Sequence, residues 1–221
     1  MSDEGDKRLR ILTAAIAHFA QTGLSQARIA DIAAAAGVGK GTVYEYFRSK
    51  EELLLAACLA HCSAHEAEID RRSGLSGPGG LQAALAAGVH PVALVHRVLA
   101  AVITVCLTGR HAEQRLFSEL SSLALTHPEL AARARAEIAP RLAGWRAQAE
   151  GLYQLAVDAG CFRPLPASAD ASRLIVAAVD GLIWQQQWEA REDPAALAAR
   201  MASAWCRLHL KEPARLEEFL S

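Results

Sequence analysis

Residues 36–47 read AGVGKGTVYEYF: three glycines, a lysine, a threonine and two tyrosines, directly after a run of alanines. A buried core has no use for that mixture. A turn followed by a short helix that touches something polar does. The preceding chain supplies the rest of the pattern. Lys7 to Thr22 has helical spacing, with Ile11, Leu12, Ala15 and Phe19 on one face, and Gly23 stops it. Gln26 to Ala35 is a second, short helix with Ile29, Ile32 and Ala33 inward. Gly37 suits the left-handed position that follows a helix end. Gly39 or Lys40 opens a third helix to about Tyr46, and Ser49 starts a fourth, with Glu52 at capping-box spacing.

Two short helices joined by a tight turn and braced by a third make a helix-turn-helix, whose second helix enters a DNA major groove. That role explains the odd composition. Gly41 lets the backbone approach base edges or phosphates. Lys40 reaches a phosphate as a point charge. Thr42 offers a hydroxyl and a methyl at groove depth. Tyr44 and Tyr46 each carry a hydroxyl to the duplex backbone. Val43 and Phe47, four apart, point into the small core. Lys50 places a cation beside the exposed amides of a helix start, a phosphate site. A plain loop with half-buried tyrosines is the bland alternative. A phosphate-binding P-loop fits poorly, because its glycine spacing and GK[ST] ending are absent.

The 221-residue chain is long enough for one or two domains. Alanine and leucine dominate and aromatics are sparse, so the expected fold class is all-α. Net charge is −1, so any surface for nucleic acid must be local. Residues 1–50 carry seven Lys/Arg against five acids, and the remainder 16 against 19, a basic head on an acidic body. Five scattered cysteines do not look like a secreted disulfide framework. The charged N-terminus has no signal-like apolar core. Val92 to Leu107 is broken by His96 and Arg97 and reads as too short for a bilayer. The expectation is a cytoplasmic protein with no membrane partner. Further helices are expected at about 81–88, 92–108, 112–126, 128–159, 167–190 and 194–210. A Gly/Ser/Pro-rich break lies at 73–80, and Pro140 is expected to kink or break its helix.

Residues 22–57, TGLSQARIADIAAAAGVGKGTVYEYFRSKEELLLAA, resemble the DNA-binding head of the TetR family of bacterial transcriptional regulators. The matching residues are Gly23, Ile32-Ala33, Ala36-Gly37-Val38, Lys40-Gly41-Thr42, Tyr44, Phe47 and Ser49-Lys50-Glu51. They cover about a sixth of the chain, and the body matches only in architecture. The resemblance implies a helix-turn-helix head at 1–50 and a helical effector-binding and dimerisation body at 51–221. It implies a ligand-responsive regulator, a repressor by the commoner mode, that binds a palindromic operator as a homodimer. A small apolar or amphipathic effector would release it. The chain departs at Ala27-Arg28, where a Thr or Ser usually opens the second helix, and Arg28 is the substitute phosphate contact. It departs at Gly39, where a Ser often caps, and at Tyr46, where a histidine is common.

Two heads on one palindrome require a dimeric body. Its expected interface is the last two long helices, through Leu174, Val179, Leu182, Ile183, Met201 and Trp205, with intrachain core packing as the competing reading. His96, Cys106, Phe117, Trp145, Trp184 and Trp188 are the candidate effector-pocket residues, polar tips among apolar walls, again against ordinary core packing. On the fourth helix Cys58, Cys62 and His65 fall at i, i+4 and i+7, which leaves a metal- or redox-sensing alternative open. Buried cysteines and satisfied histidines are the bland reading there. No nucleophile–base signature or paired carboxylates stand out, so neither enzyme activity nor a cofactor is expected.

Overall fold

A computed structural model describes residues 3–77, 79–108, 111–165, 168–186, 188 and 192–221. The fold is all-α. Its helices are α1 (Asp3–Gln26), α2 (Ile29–Ala36), α3 (Lys40–Tyr46), α4 (Lys50–Ser73), α5 (Gly80–Ala86), α6 (Pro91–Thr108), α7 (His111–Thr126), α8 (Pro128–Asp158), α9 (Ser168–Gln185) and α10 (Pro194–His209). A 3-10 turn (Pro213–Arg215) and α11 (Leu216–Leu220) close the chain, and the sequence pattern had given no sign of either. Pro78 of the expected break and Pro166 lie outside the described residues, as do positions 167, 187, 189 and 190 of the expected helix 167–190. That helix ends at Gln185.

The chain divides into two compact units. The first comprises Met1–Ala64 and Gly109–Pro140, so later helices extend the unit that contains the head. Apolar burial explains the extension. The face of α1 read from the sequence, Ile11, Leu12, Ala15 and Phe19, is buried with Ile32, Val43, Phe47, Leu53 and Leu54. Leu116 and Leu120 of α7 and Leu130 and Ala134 of α8 complete the same core. Each large side chain so buried stabilises by roughly 1.5–3 kcal/mol.

Pro140 does not break α8, which runs on as one helix to Asp158. Proline lacks the N–H that would bond the Ala136 carbonyl. Ala136 and Pro140 are both exposed, so water takes the place of the missing donor.

The second unit comprises His65–Thr108 and Arg141–Ser221. Its core is Val92, Leu94 and Leu99 of α6 with Leu152, Tyr153, Phe162, Cys206, Leu210 and Leu216. A smaller cluster joins α6 to α9 and α10 through Ile103, Val179 and Ala198. Asp193 caps α10 by accepting from the Ala196 N–H at 2.8 Å, with Pro194 in the first turn. An isolated bridge between Phe162 and Leu210 ties the segment after α8 to the end of α10. By length and composition α6 is apolar enough to cross a bilayer, contrary to the sequence reading. Half of it is buried in the unit's core, where that apolar character is used.

Candidate nucleic-acid interface

The turn between α2 and α3 is set by one glycine. Gly37 is left-handed (φ 66°, ψ 37°), and its N–H bonds back to the carbonyls of Ala33 and Ala34. Any other L-residue is strained there. Arg10 of α1 donates to the Ala36 carbonyl at 3.2 Å, bracing the same corner. Gly39 then enters α3 in an extended conformation (φ −74°, ψ 152°) with no side-chain cap to give.

Seven residues of α3 separate into two sides. Val43 is 1% exposed and Phe47, just beyond the helix, 3%, both in the head core. Lys40, Gly41, Tyr44 and Glu45 face outward, and Thr42 is half-buried. The Lys40 ammonium lies 5.9 Å from the Tyr44 ring centroid, a cation–π contact that orders two long side chains in advance of any ligand. A Cβ placed on Gly41 meets nothing within 4 Å, so the missing side chain is not required by packing.

Other predicted contact residues are engaged within the chain. The Tyr46 hydroxyl donates to the Glu4 carbonyl at 3.2 Å. The Lys50 ammonium donates to the carbonyls of Ala27 (3.2 Å) and Ser25 (3.5 Å), so it secures the corner between α1 and α2. Arg28 is exposed at the N-cap of α2 without a capping bond. The start of α4 follows the sequence reading. Ser49 Oγ accepts from the Glu52 N–H at 3.1 Å, while Glu52 accepts from the Arg48 N–H at 2.9 Å. The Arg133 guanidinium, 2.8 Å away, holds the Glu52 carboxyl below its usual range, helped by the Arg48 N–H. Two cations escaped the sequence reading. Arg48 is exposed in the turn between α3 and α4, and Arg8 lies over the Phe47 ring at 5.6 Å. Proximity in sequence to the turn signals Arg48, whereas only the packing of α1 brings Arg8 there.

The six candidate pocket residues do not converge. Phe117 belongs to the head unit and packs on His61 with ring centroids 5.9 Å apart. His96 bonds Ser203 across α6 and α10 at 3.0 Å. Trp145 donates to Glu66 at 3.1 Å, beside the Arg141–Glu66 ion pair. Cys106 packs in the small cluster of α6, α9 and α10. Trp184 and Trp188 are 62% and 72% exposed, 5.8 Å apart.

The interface candidates also divide. Val179, Leu182, Ile183 and Met201 pack within the chain, and Trp205 meets Tyr153, Phe162 and His209. Leu174 alone of the six is turned out, 71% exposed. It shares its stripe of α9 with Ala178, Trp184 and Gly181, above which a Cβ meets nothing, and Trp188 lies just beyond the end of the helix. Leu208 of α10 is 73% exposed.

Of the Cys58, Cys62, His65 set, Cys58 is buried in the head core. Burial pushes the Cys58 thiol up to about 12, and it donates to the Leu116 carbonyl at 3.6 Å. Among the described residues no group of three or more His, Cys, Asp or Glu is placed to share a metal ion.

Three histidines of the second unit respond to acid. His90, His96 and His209 are all held below the ordinary histidine value, first by burial. The unfolded chain takes up these protons near pH 6.5, before the folded one does. Stability is therefore full above that pH and falls as pH drops toward the folded values. The carboxylates held low at Glu51 and Glu52 titrate at more acid pH. A urea midpoint measurably lower at pH 5.5 than at pH 7.5 is the expected result, and mutation of the three histidines to Gln should flatten the difference.

Residues 11–57 match the family described as "Bacterial regulatory proteins, tetR family". An uncharacterized HTH-type transcriptional regulator, YerO of Bacillus subtilis, is 43% identical over 53 residues, 24% of this chain and 18% of that protein. The fatty acid metabolism regulator protein of Bacillus subtilis is 38% identical over 56 residues, 25% of this chain and 29% of that protein. The chain thus spans less than a third of the length of these relatives. Among solved structures, a TetR transcription regulator from Haloarcula marismortui superposes with a TM-score of 0.69 at 17% identity, over 94% of this chain and 100% of that one. A TetR-family transcriptional regulator from Rhodococcus sp. gives 0.65 at 20% identity, over 90% and 98%. At such identities the likeness is one of fold.

Proposed function

Because this chain belongs to the TetR family of bacterial transcriptional regulators, we propose that it is a repressor that binds a palindromic operator as a homodimer in the cytoplasm. A small apolar or amphipathic effector, held in the helical body, releases it. One observation supports this reading above the others. The short helix α3 buries Val43 and leaves Lys40, Gly41 and Tyr44 outward, the division a groove-reading helix requires. In this reading Thr42 and Tyr44 contact base edges or phosphates, and Lys40, Arg28 and Arg48 supply charge to phosphates. Tyr46 and Lys50 hold the head in shape through their carbonyl bonds and reach DNA only if those bonds are exchanged.

The outward stripe of α9 with Leu208 of α10 is the surface we assign to the partner subunit. Two exposed tryptophans 5.8 Å apart cost free energy in water that a four-helix contact between two copies recovers. Trp184→Glu is expected to convert the dimer to monomer at micromolar concentration, read by sedimentation equilibrium. A variant as dimeric as the parent would remove this assignment.

Release by the effector needs only differential affinity. A tenfold drop in operator binding corresponds to about 1.4 kcal/mol between the two states. The test of the central reading is selection of duplexes from a randomised library, followed by polarisation titrations across salt. Inverted repeats should be enriched, with log K falling linearly against log salt. Binding without sequence preference at physiological salt would sink it.

A further inference from the structure

The outward side of α9 carries two charges of opposite sign among its apolar groups. Arg173, Ala177, Asp180 and Trp184 follow at i, i+4, i+7 and i+11, with Leu174 and Ala178 beside them, and all six are exposed. Val179, Leu182 and Ile183 occupy the opposite side and pack within the chain. Arg173 and Asp180 therefore share one side of the helix. Seven residues separate them, roughly 10 Å along the axis, so they do not pair with each other in one chain.

No other charge of the two helices is available to either. Arg173 is the one basic residue in the sequence of α9. On α10, Arg200 is paired with Glu192 and Arg207 with Glu217. Partial burial already holds the Asp180 carboxyl above the ordinary carboxylate range, and among the described residues no cation offsets that effect. Covering this side of α9 with apolar surface would strip more water from the carboxylate, which is costly unless a cation meets it.

A second copy of the chain brings that cation. In a twofold contact, whatever residue i of one copy meets in the other, that residue meets i in return. Two antiparallel α9 helices that set Arg173 against the partner subunit's Asp180 also set Asp180 against the partner subunit's Arg173. The symmetry point then falls next to Ala177, which is exposed and small enough for two helices to approach. Parallel α9 helices would instead set arginine against arginine and aspartate against aspartate, two repulsions.

We infer that two copies of this chain pair through antiparallel α9 helices in the register that places Arg173 of each against Asp180 of the other, and that this reciprocal pair selects a second copy as the partner. The inference rests on the assignment of this surface to the dimer and adds its direction and register. Trp184 supplies apolar area to the contact, whereas the two charges fix which way round the helices lie.

The test reverses the charges one at a time in the full-length protein. Arg173→Glu and Asp180→Arg, each alone, should weaken self-association by about tenfold or more, read by sedimentation equilibrium. Mixed in equal amounts, the two variants should form a heterodimer beyond the statistical half, counted by native mass spectrometry, because each then offers the charge that the other lacks. Reversals that self-associate as tightly as the parent, or a mixture that stays statistical, would overturn the register. The parent alone gives a second reading that needs no variant to fold: its self-association should weaken as potassium chloride rises, and association indifferent to salt would also overturn the pairing. Trp184→Glu separates the two levels. A monomeric Trp184→Glu beside unaffected reversals keeps the surface and removes the register, and a parent that is monomeric throughout removes both.

Discussion

Gly41→Leu should leave the head folded and lower affinity for a selected duplex by on the order of a hundredfold. Both halves of that expectation come from one geometric fact. Nothing in the chain lies within 4 Å of a Cβ at this position. Leucine is also a better helix former than glycine by about 0.8 kcal/mol, so the melting temperature should hold or rise. In the proposed docking, a four-carbon side chain on the exposed side of α3 would hold the backbone away from the duplex. Each good base-edge contact is worth about 1–3 kcal/mol, and a dimer presents the position twice. A loss of about 2.7 kcal/mol, or hundredfold, lies toward the low end of the doubled range of about 2–6 kcal/mol. The measurement is polarisation against the selected duplex, with a thermal melt of the same sample. Unchanged affinity in a stable variant would show that this side of α3 does not meet DNA.

The second large effect concerns stability. Gly23 has φ 73° and ψ 167°, a conformation that is essentially restricted to glycine, and it divides α1 before its last turn. A Cβ there would also stand 2.6 Å from Glu119 Oε1 and 2.7 Å from Arg115 Nη2. Those side-chain ends can move, but Arg115 would then loosen its bond to the Gln21 carbonyl, 3.2 Å long. Gly23→Ala should therefore destabilise by about 2–3 kcal/mol, most of it backbone strain. Gly144→Ala is the control. Gly144 lies inside α8 with open space around its Cβ, and alanine there should stabilise by up to about 1 kcal/mol. Urea denaturation of the pair reads both signs, and equal midpoints would contradict the argument.

The head was legible because its signals are local. Gly37 announces a left-handed corner, Ser49 with Glu52 announces a helix start, and Val43 with Phe47 marks the inner side of a helix only seven residues long. The body was harder for a physical reason. On α9, Leu174, Ile175, Ala178, Val179, Leu182, Ile183 and Trp184 leave little of the helix polar. Periodicity cannot then say which stripe the chain itself will cover, and the residues first assigned to the partner turned out mostly to be Val179, Leu182 and Ile183 of the inner stripe. Trp184 and Trp188 looked like pocket walls because aromatic rings suit both uses. Long-range contacts were illegible altogether. Nothing in the order of residues places Leu116 against α1, or brings His90 to Cys161 across seventy-one positions.

The tryptophan pair at the end of α9 also makes the protein its own optical probe. Two of its four indoles stand in water, 5.8 Å apart. Their fluorescence should be red-shifted in a lone subunit and move to the blue when a second copy covers them. A dilution series read by emission wavelength alone, with no dye attached, would report the self-association constant.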